Sequence, residues 1–117
     1  MALTNSPQAL VNLQLGRVGL LPAFDAVISI ESIGRRFKPD PSVYRAAAER
    51  LDAPIGRLRM IAAHDWDVAG ALAAGASGAF VARQGVSYRP WLPRPDIEGP
   101  DLIDVVEAIL SDRGGAR

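Results

Sequence analysis

Short apolar runs alternate with polar islands along this chain, at a spacing that suits strands feeding loops. Ala2-Leu3 precedes Thr4-Asn5-Ser6, the Phe24 to Ile30 segment precedes Lys38-Pro39-Asp40-Pro41, and Met60-Ile61-Ala62-Ala63 precedes His64-Asp65-Trp66-Asp67. In an open parallel α/β sheet the loops after the carboxyl ends of the strands build the ligand site, so three such islands predict one site made from three loops. The first island starts at Thr4 with almost no strand before it, which leads us to expect a chain that enters its fold partway through.

Between the islands the periodicity becomes helical. Gln8 to Val18 carries Val11, Leu15 and Val18 at i, i+4, i+7, with Gly19 placed to end the helix. A second helix begins at Pro41, where the missing N–H costs nothing, with Asp40 as N-cap and Val43, Ala47 and Leu51 as its apolar stripe. Arg59 to Ala63 reads as a strand, Asp65 or Trp66 to Ala74 as a helix closed by Gly75, and Ala79 to Arg83 as another strand. Gly70, Ala71, Ala73 and Ala74 would let this helix lie close against the sheet. Gln84 to Pro100 carries four Pro and two Gly, which predicts an irregular surface connection with a short extended piece near Ile97. Pro100 to Ser111 is the best-patterned helix, with Leu102, Val105, Val106, Ile109 and Leu110 on one stripe, and Asp112 to Arg117 should fray. The alternation of strand and helix specifies a single α/β domain, a parallel sheet flanked by helices, with no internal repeat.

Composition removes several functions. Thirteen basic and thirteen acidic residues cancel, so nothing in the charge favours nucleic acid or an anionic membrane surface. The chain has no Cys, which removes disulfides, thiolate metal sites and a Cys nucleophile and suits the cytoplasm. No apolar run approaches the roughly 20 residues that a bilayer needs. The glycine fingerprints of dinucleotide and P-loop sites are missing, as is the GxSxG elbow of α/β-hydrolases.

Each island alone has a structural explanation. Thr4-Asn5-Ser6-Pro7 could be a turn and cap cluster, Lys38 a solvated lysine, and Asp65 and Asp67 caps of the following helix. His64 is the only histidine and has no metal-ligand company. Taken together, the islands place a hydroxyl and an amide, a cation and carboxylates at successive strand ends.

Leu3-Thr4-Asn5-Ser6, Phe24-Asp25-Ala26-Val27-Ile28-Ser29, Phe37-Lys38-Pro39-Asp40-Pro41-Ser42-Val43-Tyr44 and Ala62 to Ala71 resemble the second, third and fourth motifs of the haloacid dehalogenase (HAD) superfamily. Within it they are most similar to the type II L-2-haloacid dehalogenases, through Trp66-Asp67 and the Tyr six residues after Lys38. The resemblance implies a partial HAD-like Rossmannoid core and a hydrolase whose aspartate nucleophile attacks C2 of a 2-haloacid. Halide leaves, and water then hydrolyses the aspartyl ester. Carried over by motif, Lys38 pairs with the nucleophile, and Asp67 holds Lys38 and helps position water. Thr4 and Asn5 line the substrate carboxylate and halide side, Tyr44 borders the pocket, and His64 and Trp66 complete the binding residues. No metal or other cofactor is implied for dehalogenation. If the chain were instead part of a superfamily phosphatase, Asp65 and Asp67 would help hold Mg²⁺. A third alternative is a non-catalytic interaction module on the same fold. Ala62 stands where relatives commonly carry serine, and His64 where they carry asparagine.

The family's first motif, an aspartate at the end of the central strand, is absent, and so is the helical cap domain that follows it. We therefore expect the chain to be a truncated core, inactive alone. The missing strand would lie between the one before Thr4 and the one before His64, leaving a gap of about 10 Å. Three or four buried backbone groups unpaired at about 1–3 kcal/mol each would rival a domain's whole stability of about 5–15 kcal/mol. Direct pairing of the flanking strands, a second copy forming a homodimer, or a complementing polypeptide would close it.

Overall fold

The computed structural model describes residues 1–34 and 36–113. Its strands and helices alternate: β1 (Ala2–Thr4), α1 (Gln8–Arg17), β2 (Val27–Ser29), α2 (Pro41–Arg50), β3 (Arg59–Ala62), α3 (Asp65–Ala74), β4 (Ser77–Val81), β5 (Ile97–Gly99) and α4 (Leu102–Arg113). Every strand pairing is parallel, as the α/β alternation requires. The strands form two sheets rather than one. β1 pairs with β2, Leu3 opposite Ile28, while β3, β4 and β5 lie side by side in that order, Met60 opposite Gly78 and Phe80 opposite Glu98. Among the described residues no ladder joins β1 to β3, the place where the sequence leads us to expect a missing strand.

Local chemistry sets the boundaries. Asp40 accepts a hydrogen bond from the Ser42 amide and caps α2 ahead of Pro41. Gly75 ends α3 at φ 104°, a left-handed value that suits glycine. β2 is shorter than the Phe24 to Ile30 run, because Ser29 Oγ accepts the Glu31 amide and turns the chain into a 3₁₀ turn at Ile30–Ser32. β4 starts at Ser77, two residues before the expected Ala79. Gly78, which falls just ahead of the expected strand start, is a packing requirement: a Cβ there would lie 2.7 Å from Val68 Cγ1. The extended piece near Ile97 is a true strand, paired with β4.

α4 departs most from its pattern. It starts at Leu102, with Asp101 accepting the Asp104 amide at 2.8 Å, and it continues through Asp112, which was expected to fray. Residues 114–117 of the expected tail lie outside the described part. Val105 is buried against Ala79, Val81 and Ile97, with Ile109 packed beside it. Leu102, Val106 and Leu110, the rest of the stripe, are exposed. The surface that β4 and β5 offer is too narrow for a full helical face. α1 behaves similarly, burying Val11 and leaving Val18 exposed.

α2 and α3 share one face. There Tyr44, Ala71 and Ala74 form a core with Leu3, Ile55 and Met60 packed against it. Both sheets thus rest on the same helical layer. No helix among the described residues is long and apolar enough to cross a membrane.

Candidate active site

The three polar islands converge at the carboxyl ends of β1 and β3. Asn5 fixes the lysine loop by its backbone, its Oδ1 accepting the Lys38 amide at 2.8 Å and its Nδ2 donating to the Lys38 carbonyl at 3.4 Å. Thr4 Oγ1 accepts the Ser6 amide, and Ser29 Oγ donates to the Ser6 carbonyl at 2.7 Å, which holds the first island in shape. The peptide between Lys38 and Pro39 is cis, and α2 begins directly after it.

From this anchored loop Lys38 Nζ donates to Asp67 Oδ2 at 2.7 Å and to the Leu3 carbonyl at 3.1 Å. The side chains of Lys38 and Asp67 are only 10% and 9% exposed, so the pair is nearly dry. Tyr44 Oη lies 2.7 Å from Asp67 Oδ1 and 3.0 Å from the Asp67 carbonyl. Burial, reinforced by Asp67, pushes the Tyr44 phenol well above its ordinary range, so it stays a donor. Both Asp67 oxygens are therefore satisfied, one by a phenol and one by an ammonium.

Gly70 makes this possible. A Cβ there would meet Pro39 Cβ at 2.7 Å, the Pro39 carbonyl at 2.8 Å and Tyr44 Cε2 at 2.9 Å. The small residues of α3 were expected to serve the sheet; at Gly70 the close approach is to the lysine loop and α2.

His64 and Trp66 flank the cluster, ring centroids 5.5 Å apart. His64 is exposed, and among the described residues neither ring hydrogen-bonds to Lys38 or Asp67. Asp65 turns elsewhere. Its Oδ2 accepts Arg89 Nε at 2.7 Å and the Arg89 amide at 3.1 Å, while Oδ1 accepts Nη2 at 2.6 Å. Arg89 holds the Asp65 carboxyl down at about 2. Asp65 and Asp67 thus present oxygens already engaged by N–H and O–H donors, with an ammonium beside one of them. Among the described residues no group of three or more His, Cys, Asp or Glu side chains is gathered that could hold a metal ion.

The structure brings together Thr4, Asn5, Lys38, Tyr44 and Asp67, with His64 and Trp66 at the border. Sequence reasoning missed Arg89 and the reason for Gly70. A glycine inside a helical pattern was the available signal for Gly70. Arg89 had none, since its partner lies 24 residues away.

A family model for haloacid dehalogenase-like hydrolases matches residues 1–75. The chain is 34% identical over 88 residues to (S)-2-haloacid dehalogenase H-109 of Pseudomonas putida, covering 75% of this chain and 39% of that enzyme. It superposes on the L-2-haloacid dehalogenase of Xanthobacter autotrophicus, solved with chloropropionic acid covalently bound, with TM-score 0.83 and 27% identity, over 96% of this chain and 54% of that one. A HAD phosphatase from Thermococcus onnurineus is also similar, with TM-score 0.77 and 27% identity, over 91% of this chain and 47% of that one. The chain thus spans about half or less of the length of these relatives. With its motifs gathered at one end of a parallel α/β core, the chain belongs to the haloacid dehalogenase-like hydrolases.

Proposed function

We propose that this chain supplies the lysine–aspartate half of a site that hydrolyses 2-haloacids to 2-hydroxyacids and halide. The attacking carboxylate comes from a complementing segment. The observation that carries the reading is the buried Lys38–Asp67 pair, with the Lys38 backbone held by Asn5 just after β1 and Asp67 held by Tyr44 from α2. An ammonium so placed keeps a neighbouring carboxylate ionised and attacking. The carboxylate oxygen bonds to C2 while the carbon–halogen electron pair leaves as halide. Water then adds at the ester carbonyl carbon, and the acyl–oxygen bond breaks. The products are the 2-hydroxyacid, the regenerated carboxylate and one proton.

In this reading Lys38 faces the nucleophile, and Asp67 and Tyr44 keep its ammonium in place. Thr4 and Asn5 line the carboxylate and halide side, where an open hollow bordered by Asn5, Pro7, Ile30, Glu31 and Phe37 adjoins the cluster, with Glu31 Oε1 engaged by the Gln8 amide. His64 and Trp66 form the rim. Without the complement the chain is inactive. The covalently bound chloropropionic acid of the Xanthobacter relative is the kind of species this chemistry leaves behind. No step requires a metal, and a chain without Cys suits the cytoplasm.

The phosphatase reading draws on the Thermococcus relative, and the engagement of Asp65 by Arg89 weighs against it. The test is to add the part of the Xanthobacter enzyme outside the matched region to this chain. Halide release from 2-chloropropionate is compared with Mg²⁺-dependent phosphate release. Halide release that disappears in Lys38→Ala supports dehalogenation; phosphate release alone overturns it.

A further inference from the structure

We propose that the His64 imidazole is the base of the second half-reaction, the group that takes a proton from the water that hydrolyses the aspartyl ester. The role rests on the functional reading above. In that reading each turnover releases one proton with the hydroxyacid, and a group beside the ester must accept it as water attacks.

The other ionisable groups around the site are committed elsewhere. Asp67 holds the Tyr44 phenol on Oδ1 and the Lys38 ammonium on Oδ2. Taking a proton would strip a nearly dry ammonium of its counter-charge. Lys38 has no acceptor, and burial keeps Tyr44 protonated. Asp65, held at about 2 by Arg89, is too weak a base for this step. Glu31 borders the hollow beside Asn5, but it follows β2, and its Oε1 is taken by the Gln8 amide at 2.7 Å.

His64 differs from each of these. Ala62 and Ala63 before it pack on opposite faces of the sheet, one with Phe80 and the other with Val81. His64 is the first residue after β3 whose side chain is not spent on packing, and it is exposed. Its carbonyl accepts the Asp67 and Val68 amides, which fixes the residue one turn ahead of Asp67, at the carboxyl end of β3. Its ring leans on Trp66, and among the described residues neither ring nitrogen has a hydrogen-bond partner. A free nitrogen can accept a proton, and an exposed ring can pass it to solvent before the next turnover.

The step balances. One water proton passes to an imidazole nitrogen as the water oxygen bonds to the ester carbonyl carbon. Collapse of the tetrahedral adduct breaks the bond from that carbon to the hydroxyacid oxygen, which takes the second water proton and leaves as a hydroxyl. The carboxylate is regenerated, and the imidazolium gives its proton to solvent.

Halide leaves before water acts, so loss of the base blocks the second half-reaction and spares the first. The test mixes this chain with the part of the Xanthobacter enzyme outside the matched region, and follows halide and intact mass. His64→Ala should release about one halide per assembled site, accumulate the ester adduct and then turn over at least about 100-fold more slowly than the wild-type mixture. Added imidazole should restore turnover, which a merely structural defect would not allow. A second measurement needs no variant. His64 is the only histidine, so diethyl pyrocarbonate applied to this chain before mixing should give the same burst and stall, reversed by hydroxylamine. Wild-type turnover in His64→Ala, or a stall that imidazole does not relieve, would overturn the assignment and leave dehalogenation standing. A wild-type mixture that releases no halide at all would overturn the functional reading itself, and this role with it.

Discussion

Lys38 and Asp67, 29 residues apart, meet at 2.7 Å with almost no solvent around either side chain. The contact joins the loop after β2 to the first turn of α3, and the same Lys38 Nζ also donates to the Leu3 carbonyl in β1. Removing one partner leaves a buried charge without compensation. Lys38→Met or Asp67→Leu alone should cost about 3–5 kcal/mol in urea unfolding, and the double variant much less than the sum. Additive losses would show that the pair is not coupled.

Tyr44→Phe deletes the donor to Asp67 Oδ1 and keeps the ring in its apolar setting. It should destabilise the chain by about 1–3 kcal/mol, the cost of a buried acceptor left unpaired. Chemical denaturation of the two chains side by side checks this, and an unchanged midpoint contradicts it.

The chain has two tyrosines, and both phenols are pushed upward, chiefly by burial. The folded state therefore keeps protons that the unfolded state releases above about pH 10. Their stabilising effect is complete below that pH and is lost as pH rises towards the folded values. In an alkaline titration the tyrosinate band should appear together with unfolding. A tyrosinate band at ordinary pH in a chain with native circular dichroism would contradict this.

Gly70→Ala sets two effects against each other. Alanine favours a helix interior by about 1 kcal/mol, whereas overpacking costs about 1–3 kcal/mol. Overpacking should win, because one of the clashing atoms is the Pro39 carbonyl, which cannot swing aside as a side chain can. The variant should melt lower, and Lys38 should lose protection from amine-reactive reagents. A higher melting temperature would show that the loop yields.

Asp65 carries the opposite pH dependence to the tyrosines. Its carboxyl is held at about 2, below the ordinary 3.8, by Arg89. The stabilisation is present above about pH 4 and disappears as pH falls through the lowered value. The melting-temperature difference between the wild-type chain and Asp65→Asn should shrink across that acid range. A constant difference would mean that the Arg89 contact contributes nothing.

Much of this was legible in the sequence for local reasons. Asp40-Pro41 announced the start of α2, Gly75 the end of α3, and the motif residues Lys38, Tyr44 and Asp67 did come together. What escaped depends on distant partners. The strand was expected from Ala79, and the need for glycine at Gly78 went unread, because the Val68 methyl that crowds a side chain there is invisible from local pattern. The stripe on α4 looked like a core face, yet only Val105 is fully buried, since periodicity does not disclose how wide the facing sheet is. The Asp65–Arg89 contact links a motif residue to an irregular connection with no pattern to read.

Halide release from 2-chloropropionate, by this chain mixed with the part of the Xanthobacter autotrophicus dehalogenase outside the matched region, is the most direct test. We predict release from the mixture, none from either polypeptide alone, and loss of release with Lys38→Ala. Turnover by the unmixed chain, or release that survives Lys38→Ala, would contradict the assignment of this site.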